Sequence, residues 1–335
     1  MTELAPNTPV RLADVARHAG VSSATVSRVL SRPEMVTEAT RDAVMQAIAA
    51  TGYRVNLAAR NLRKQRTGAI VALVPNLGNP FFARILAGMG QELSAEGYDL
   101  LVGDTMDEGG RHRALNRFLD PSRADGIILM DGRVTLADLA AQPGAPPLIM
   151  ASEWIEGAAL PRVVLDNLRG TALATEHLLS LGHQRIAFIG GPAANVLHRS
   201  RLEGMIRALG RTPPGYAGDF SLQAGAQVAT QWLAQDPAAR PTAIVAFSDE
   251  LAAGFMGEAQ RHGIAVPDQV SVVGFDGIDW GAHLPTPLTT IHQPKREMGR
   301  AAARTLLAHM RGEADISTTL VPELVIRASS GPVPA

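Results

Sequence analysis

The chain contains no cysteine, so disulfides, thiolate zinc sites and cysteine nucleophiles are all excluded. It has no apolar run long enough to span a bilayer. Its start, MTELAPNTPVRLADVARHAG, does not follow the basic-then-apolar order of a signal peptide, so a cytoplasmic protein with no membrane partner is expected. There is no GxxxxGK[ST] loop, and FIGGP is too short a glycine pattern for a dinucleotide fingerprint. His177 and His183 lie six apart, the wrong spacing for two ligands on one helical face, and read as surface histidines. Ser152 and Ser248 have no histidine or other base evident beside them. No catalytic residue, metal ligand or cofactor is therefore expected, and an enzyme is the least favoured class. Low-complexity segments are missing too, and the tail ASSGPVPA carries no heptads, which argues against a coiled-coil tetramer.

What is present is unevenly distributed. The 335 residues suffice for two or three domains with proper cores, and the net charge is only −1. Residues 1–66 hold ten Arg and Lys against five acids, a balance of +5, while the rest of the chain carries −6. A basic head on an acidic body suits phosphate binding by the head alone. Within that head, Leu12, Val15, Ala16 and Ala19 form one apolar stripe at helical spacing, and Val26, Val29 and Leu30 form another after a tight Gly20-Val21 turn. The spacing predicts helices over Leu12–Ala19 and Ser23–Leu30. The outer face of the second helix, with Ser22 before it, keeps Ser23, Ala24, Thr25, Ser27 and Arg28. This is a helix-turn-helix, whose second helix presents short polar side chains and an arginine to base edges in the major groove of double-stranded DNA. A third helix, Thr37 to Thr51, buries Val44, Ala47 and Ile48, with Gly52 as its C-cap and Tyr53 closing the small core. VNLAARNL then reads as a short helix that Asn56 caps, followed by the polar linker RKQRTG.

After Gly68 the texture becomes α/β. Eight short Val/Ile/Leu runs, from AIVALVP to QVSVVGFD, alternate with amphipathic stretches such as 82–97, 171–181, 201–210, 224–235 and 251–262. Continuous apolar strands between helices mean parallel sheets covered on both faces, and eight strands are too many for one sheet here. Two doubly wound subdomains are expected. Ligands bind beyond the carboxyl ends of parallel strands, so strand-end loops of facing sheets line one cleft. Those loops carry Phe81, Phe82, Trp154, Phe220 and Trp280, with Asn195, Asp249 and Asp276 beside them. Flat apolar faces with a few directional polar groups suit a ring-shaped polar ligand, a sugar or a nucleoside.

DVARHAGVSSATVSRVL, GYRVNLAARNL and GHQRIAFIGG together resemble the lactose/galactose-repressor family of bacterial transcription regulators, over about Val10 to Ile326. The resemblance implies an all-α headpiece followed by an α/β body of the periplasmic-binding-protein type. It places the headpiece at 9–55, a hinge helix and linker at 56–67, one effector-binding subdomain at 68–165 plus 294–320, and the other at 166–293 plus 321–330. The chain would cross between the two near Asp166, Pro294 and Pro322. It implies a homodimer on a pseudo-palindromic operator, with Leu62 of each hinge levered into a central base step of the minor groove beside Asn56, Ala59 and Arg63. It matches Phe82 and Phe220 to an aromatic pair that sandwiches a base in purine-type members, with Phe81 adjacent. Arg201 and Asp276 match residues that bond ligand hydroxyls or ring atoms, and Asn195 and Gln293 match more variable polar contacts. PPLIMASEW, LPRVVLDNL and NPFF look most like the cytidine-responsive branch, which favours a nucleoside over a sugar. Arg11, Val55 and Ser31 depart from the family's usual Thr, Pro and Asn. The other function class weighed is a cytoplasmic small-molecule-binding protein whose DNA-binding head is passive.

Overall fold

The computed structural model describes residues 10–53, 66–140, 144–314 and 316–334. The chain divides into two compact units, residues 1–65 and 66–335. Asn56, Ala59, Leu62 and Arg63, the hinge residues singled out above, lie outside the described residues, as does Val55.

In the first unit α1 spans Leu12–Ala19, α2 Ser23–Ser31 and α3 Glu38–Thr51, with a 3-10 turn at Pro33–Met35. Val15, Val26, Val29, Val44 and Ala47 are buried where the three helices meet, and Leu12, Leu30, Ile48 and Tyr53 pack around them. The turn between α1 and α2 depends on Gly20, whose φ of 66° is a left-handed conformation that costs glycine least. Two of the three helix starts are capped by a hydroxyl. Ser22 Oγ accepts from Thr25 N at 3.1 Å, and Thr37 Oγ1 accepts from Thr40 N. Arg11 supplies no acceptor, but Asp14 Oδ2 accepts from Arg11 N at 2.9 Å, so half of a capping box remains.

The second unit holds two six-stranded sheets. The first runs β11-β5-β4-β3-β1-β2 and the second β12-β10-β9-β8-β6-β7. The strands are β1 Ala69–Val74, β2 Asp99–Asp104, β3 Gly126–Leu129, β4 Leu148–Ala151, β5 Arg162–Leu165 and β6 Ile186–Ile189. They continue with β7 Gly215–Tyr216, β8 Ala243–Ala246, β9 Ser271–Asp276, β10 Thr289–His292, β11 Thr318–Leu320 and β12 Glu323–Val325. The helices are α4 Pro80–Ala95, α5 Glu108–Phe118, α6 Leu136–Ala140, α7 Asn167–Ser180 and α8 Val196–Leu209. Then come α9 Leu222–Leu233, α10 Asp249–Arg261 and α11 Lys295–Met310. All six residues of β1 and of β9 are buried, as central strands covered on both faces require. Every pairing is parallel except β10 with β12. That exception follows from topology. The chain leaves the first sheet at the carboxyl end of β11 and begins β12 three residues later, so β12 must run back along β10.

The chain passes from one sheet to the other after β5, after β10 and after β11, and α11 packs against α4 of the first sheet. Two of the three crossings are bonded together, Asp166 N to Leu320 O at 2.9 Å. Four strands escape the apolar-run pattern. β7, β11 and β12 have two or three residues, and β10 is the polar run TTIH. Thr289 and Thr290 are nonetheless fully buried, since Ser330 and Asp249 satisfy their hydroxyls. His183, read from sequence as a surface histidine, is also fully buried, because Thr242, Ser271 and Gly331 O saturate its ring nitrogens.

Glycine sets the closest helix contact in the first sheet's layer. A Cβ on Gly88 of α4 would stand 2.2 Å from Arg296 O, and one on Gly299 of α11 would stand 2.0 Å from Ile85 O. Both obstacles are backbone and cannot rotate away. Gly88→Ala and Gly299→Ala are therefore expected to lower unfolding free energy by about 1–3 kcal/mol each in a urea titration. Gly257→Ala on α10, where an added Cβ meets nothing within 4 Å, should raise it by about 0.4–1 kcal/mol.

Candidate functional site

The carboxyl ends of both sheets face one cavity of about 270 Å³. Its first-sheet wall comes from the segments after β1, β2, β3 and β4, and its second-sheet wall from those after β6, β7 and β9. Phe81 and Phe82 start α4, whose N-cap Asn79 accepts from Phe81 N at 2.9 Å; their rings meet edge to face at 5.1 Å. Phe220 lines the cavity from the second sheet, and Asn195, N-cap of α8, lines it too.

The charged floor is built around Arg201. Its guanidinium is 2% exposed, sits 3.7 Å over the Phe275 ring, donates to Asn167 Oδ1 at 2.9 Å and to Phe247 O, and lies 3.9 Å from Asp276 Oδ1. Burial lowers its pKa to about 10, against the attraction of Asp276, and it stays charged at neutral pH. Asp276 has Gln293 Nε2 donating to Oδ1 at 2.7 Å, while Lys295 Nζ donates to the Asp276 and Gly277 carbonyls at 2.6 Å. Burial pushes Asp276 up to about 6, with Arg201 and Lys295 pulling it back. Among the described residues, three other than glycine have positive φ: Ser152 at 66°, Phe220 at 66° and Asp276 at 121°. All three line this cavity. Such strain clusters where the surrounding structure aims side chains at a ligand.

Of the effector residues named from sequence, Phe81, Phe82, Asn195, Arg201, Phe220 and Asp276 come together around the cavity. Trp154 and Asp249 do not line it, and both need correction. Trp154 packs on the first sheet's outer core with Arg162 stacked 5.6 Å from its ring. Asp249 is fully buried, accepting from Thr290 Oγ1 at 2.5 Å and Ile278 N at 2.6 Å. It braces β10 and the loop after β9 instead of lining the cavity. Sequence reasoning passed over Glu153, Arg133, Asn79 and Asp219, which line the cavity. Glu153 is the immediate neighbour of Trp154, so the segment singled out from sequence does reach the cavity, through the adjacent side chain.

Among the described residues, three side-chain contacts across the cleft tie the two walls together. Asn195 Nδ2 reaches Glu153 Oε2 at 3.3 Å, Arg199 pairs with Glu156 at 2.9 Å, and Arg84 pairs with Asp279. In the headpiece, Ser22, Ser23, Ala24 and Arg28 are exposed, with Thr25 and Ser27 half-buried. Ser22 and Thr25 hydroxyls bond each other at 2.9 Å, and Ser31 Oγ turns back to Ser27 O at 2.8 Å. Among the described residues no group of acids and histidines could hold a metal ion, and no helix is long and apolar enough to cross a membrane.

Asp249 gives a pH signature. Burial, then the charge of Asp276, pushes its pKa up to about 8, whereas an unfolded aspartate titrates near 3.9. Between these values the folded state holds a proton that the unfolded state has released. The contribution of Asp249 to stability should therefore fall as pH rises from about 4 to about 8. Urea midpoints measured across that range should decline more steeply in the wild type than in Asp249→Asn, which has no carboxylate to charge.

The comparisons with known proteins agree with this geometry. The description "Bacterial regulatory proteins, lacI family" matches residues 11–56, and "Periplasmic binding protein-like domain" matches residues 175–330. The chain is 36% identical over 336 residues to the HTH-type transcriptional repressor CytR of Escherichia coli (strain K12), covering 98% of each chain. It is 33% identical to the HTH-type transcriptional repressor PurR of Photobacterium profundum, covering 94% of this chain and 97% of that one. Among solved structures it superposes on the Lac repressor dimer bound to operator and the anti-inducer ONPF. The TM-score is 0.86 at 29% identity, over 97% of this chain and 100% of that chain. A helix-turn-helix unit joined to a two-sheet body with a central cleft is thus shared along the whole length, and the chain belongs to the lacI family of bacterial regulatory proteins.

Proposed function

We propose that the protein is a transcriptional repressor that binds a pseudo-palindromic operator as a homodimer and whose operator affinity is switched by a small molecule, a nucleoside, held in the body's cleft. The observation that carries the effector reading is the cavity itself. Phe82 from one sheet and Phe220 from the other line a space of about 270 Å³ floored by Arg201 and Asp276. Two flat apolar rings suit the faces of one nucleobase, and a buried cation beside a carboxylate suits ribose hydroxyls. The volume lies near the small end of ligand pockets, which favours one base with its sugar over an oligosaccharide. The likeness of PPLIMASEW, LPRVVLDNL and NPFF to the cytidine-responsive branch supports the same reading.

The headpiece supports the DNA-binding half. Ser23, Ala24 and Arg28 stand exposed on a helix whose opposite side is buried, within a unit of strong positive charge. A single such helix covers too little surface for a tight complex, so two headpieces share the site. Linkage couples the halves. A ligand that grips both walls stabilises one closure state by its differential affinity, and operator affinity changes by the same factor.

Operator binding followed by fluorescence anisotropy should weaken roughly 10³-fold or more between about 50 and 200 mM salt. Arg28→Ala should cost about 1–3 kcal/mol and relax preference at one base pair per half-site, as expected for an arginine paired with a guanine edge. A loss equal across all sequences would make Arg28 a phosphate contact.

Asp276→Asn should abolish the response to added nucleoside while operator affinity without nucleoside stays close to that of the wild type. The same anisotropy titration, repeated with and without ligand, reads both. A normal response at normal ligand concentration would remove Asp276 from the effector site.

A further inference from the structure

The amino ends of the first sheet's strands lie opposite the cleft, and there the body takes up the chain. One half-buried carboxylate grips the residues ahead of β1. Asp125, just before β3, accepts from Thr67 N at 2.6 Å and Thr67 Oγ1 at 3.0 Å through Oδ1, and from Gly68 N at 2.8 Å through Oδ2. Its own backbone N donates to Ala69 O at 2.8 Å. From the other side Asp99 N, at the start of β2, donates to Gly68 O at 2.9 Å. Gly68 makes the turn with a φ of 73°, and the guanidinium of Arg66 stacks 5.1 Å from the centroid of the Tyr98 ring. β1 itself begins only at Ala69 and is held by its ladders to β2 and β3. The carboxylate therefore acts on the residues in front of the strand. Bonds from backbone N–H groups to an ionised carboxylate are about twice as strong as neutral ones. Two oxygens on successive N–H groups fix the direction of the chain as well as its position.

We propose that Asp125 is a positioning residue for operator binding. It makes residues 66–68 a rigid extension of the first sheet, so that the two headpieces of a dimer are presented at a spacing and direction which that sheet sets. This rests on the homodimer reading above. Half-sites of a two-fold operator lie one helical turn apart, about 34–36 Å, or a multiple of it. Releasing Arg66, Thr67 and Gly68 would give each chain up to about 10 Å of extra reach, a large share of that distance. Magnitudes separate a clamp from a leash. If residues 54–65 were only a flexible leash, lengthening it by those residues would lower the effective concentration of the second headpiece by less than about twofold. A lost direction costs more, because the second headpiece must then be oriented as well as brought near. Cleft and clamp sit at opposite ends of the same strands, so a reorientation of the sheet is passed to the chain ahead of Arg66 without slack.

The test compares two duplexes by fluorescence anisotropy with the full-length protein. One is a palindrome selected by the wild type from random sequence, and the other is the same duplex with one half scrambled. Asp125→Asn keeps the side chain's size but sets an amide N–H against the N–H of Gly68. Its preference for the palindrome over the scrambled duplex should fall at least about tenfold, with affinity for the scrambled duplex within about twofold of the wild type. Gly88→Ala, which disturbs packing in the same layer, should keep the wild-type preference; an equal loss there would mean that the assay reports stability, and would overturn the assignment. A Gly-Gly insertion between Gln65 and Arg66 breaks no bond of the clamp and should lower the preference as Asp125→Asn does, so it carries the test if Asp125→Asn fails to fold. A change under about twofold in either variant, the leash value, overturns the proposal, as does an equal loss on both duplexes. If the wild type binds both duplexes equally, the homodimer reading falls, and this inference with it.

Discussion

The buried guanidinium of Arg201 is the constraint on which the body depends. Removing such a charge from water costs several kcal/mol unless geometry compensates. Here each side of the ion meets a different part of the fold: Asn167 at the start of α7, the Phe247 carbonyl after β8, the ring of Phe275 on β9, and Asp276 at its end. Asn167 follows the first sheet-to-sheet crossing, and Asp276 is bonded to Gln293 and Lys295 at the second. One cation therefore ties two crossings to the cleft floor. Because four partners from different elements share the charge, the arrangement holds its shape through several contacts at once.

The cleft is also where local rules are broken. A non-glycine residue in the left-handed region costs of order 1–3 kcal/mol. Ser152, Phe220 and Asp276 all accept that cost and all line the cavity. Elsewhere in the described body the turns that need positive φ are made by glycine, as at Gly97, Gly182 and Gly263. Strain is thus confined to the side chains that would meet a ligand, while the scaffold is locally relaxed.

Much of this was legible in the sequence, and the limits have physical causes. The headpiece was readable almost to the residue, because its apolar stripes are local and its punctuating glycines, Gly20 and Gly52, are chemically explicit, while the N-caps Ser22 and Thr37 emerge from the structure. Eight strands announced themselves as apolar runs. β10 did not, because TTIH buries hydroxyls that only distant partners, Ser330 and Asp249, make tolerable. The same non-local logic hid His183, and it misassigned Asp249, whose partners lie 29 and 41 residues away. In the cleft, residue type drew attention to Trp154, yet its neighbour Glu153 reaches the cavity. Which of two adjacent side chains faces a ligand depends on the backbone turn at Ser152, and no periodicity encodes that.

The three passages between the sheets lie side by side: β5 beside β11 in one sheet, and β10 beside β12 in the other. Asp166 and Leu320 are joined directly across two of them. Parallel, adjacent pins resist twisting and sliding but permit rotation about the line they define. The cleft loops that touch no crossing can be rewritten without disturbing the pins, whereas Arg201 and Asp276 belong to the cleft floor and to the crossings at once. A change of specificity confined to the loops after β1 and β7 therefore leaves the connection between the sheets intact, and a change at the floor does not.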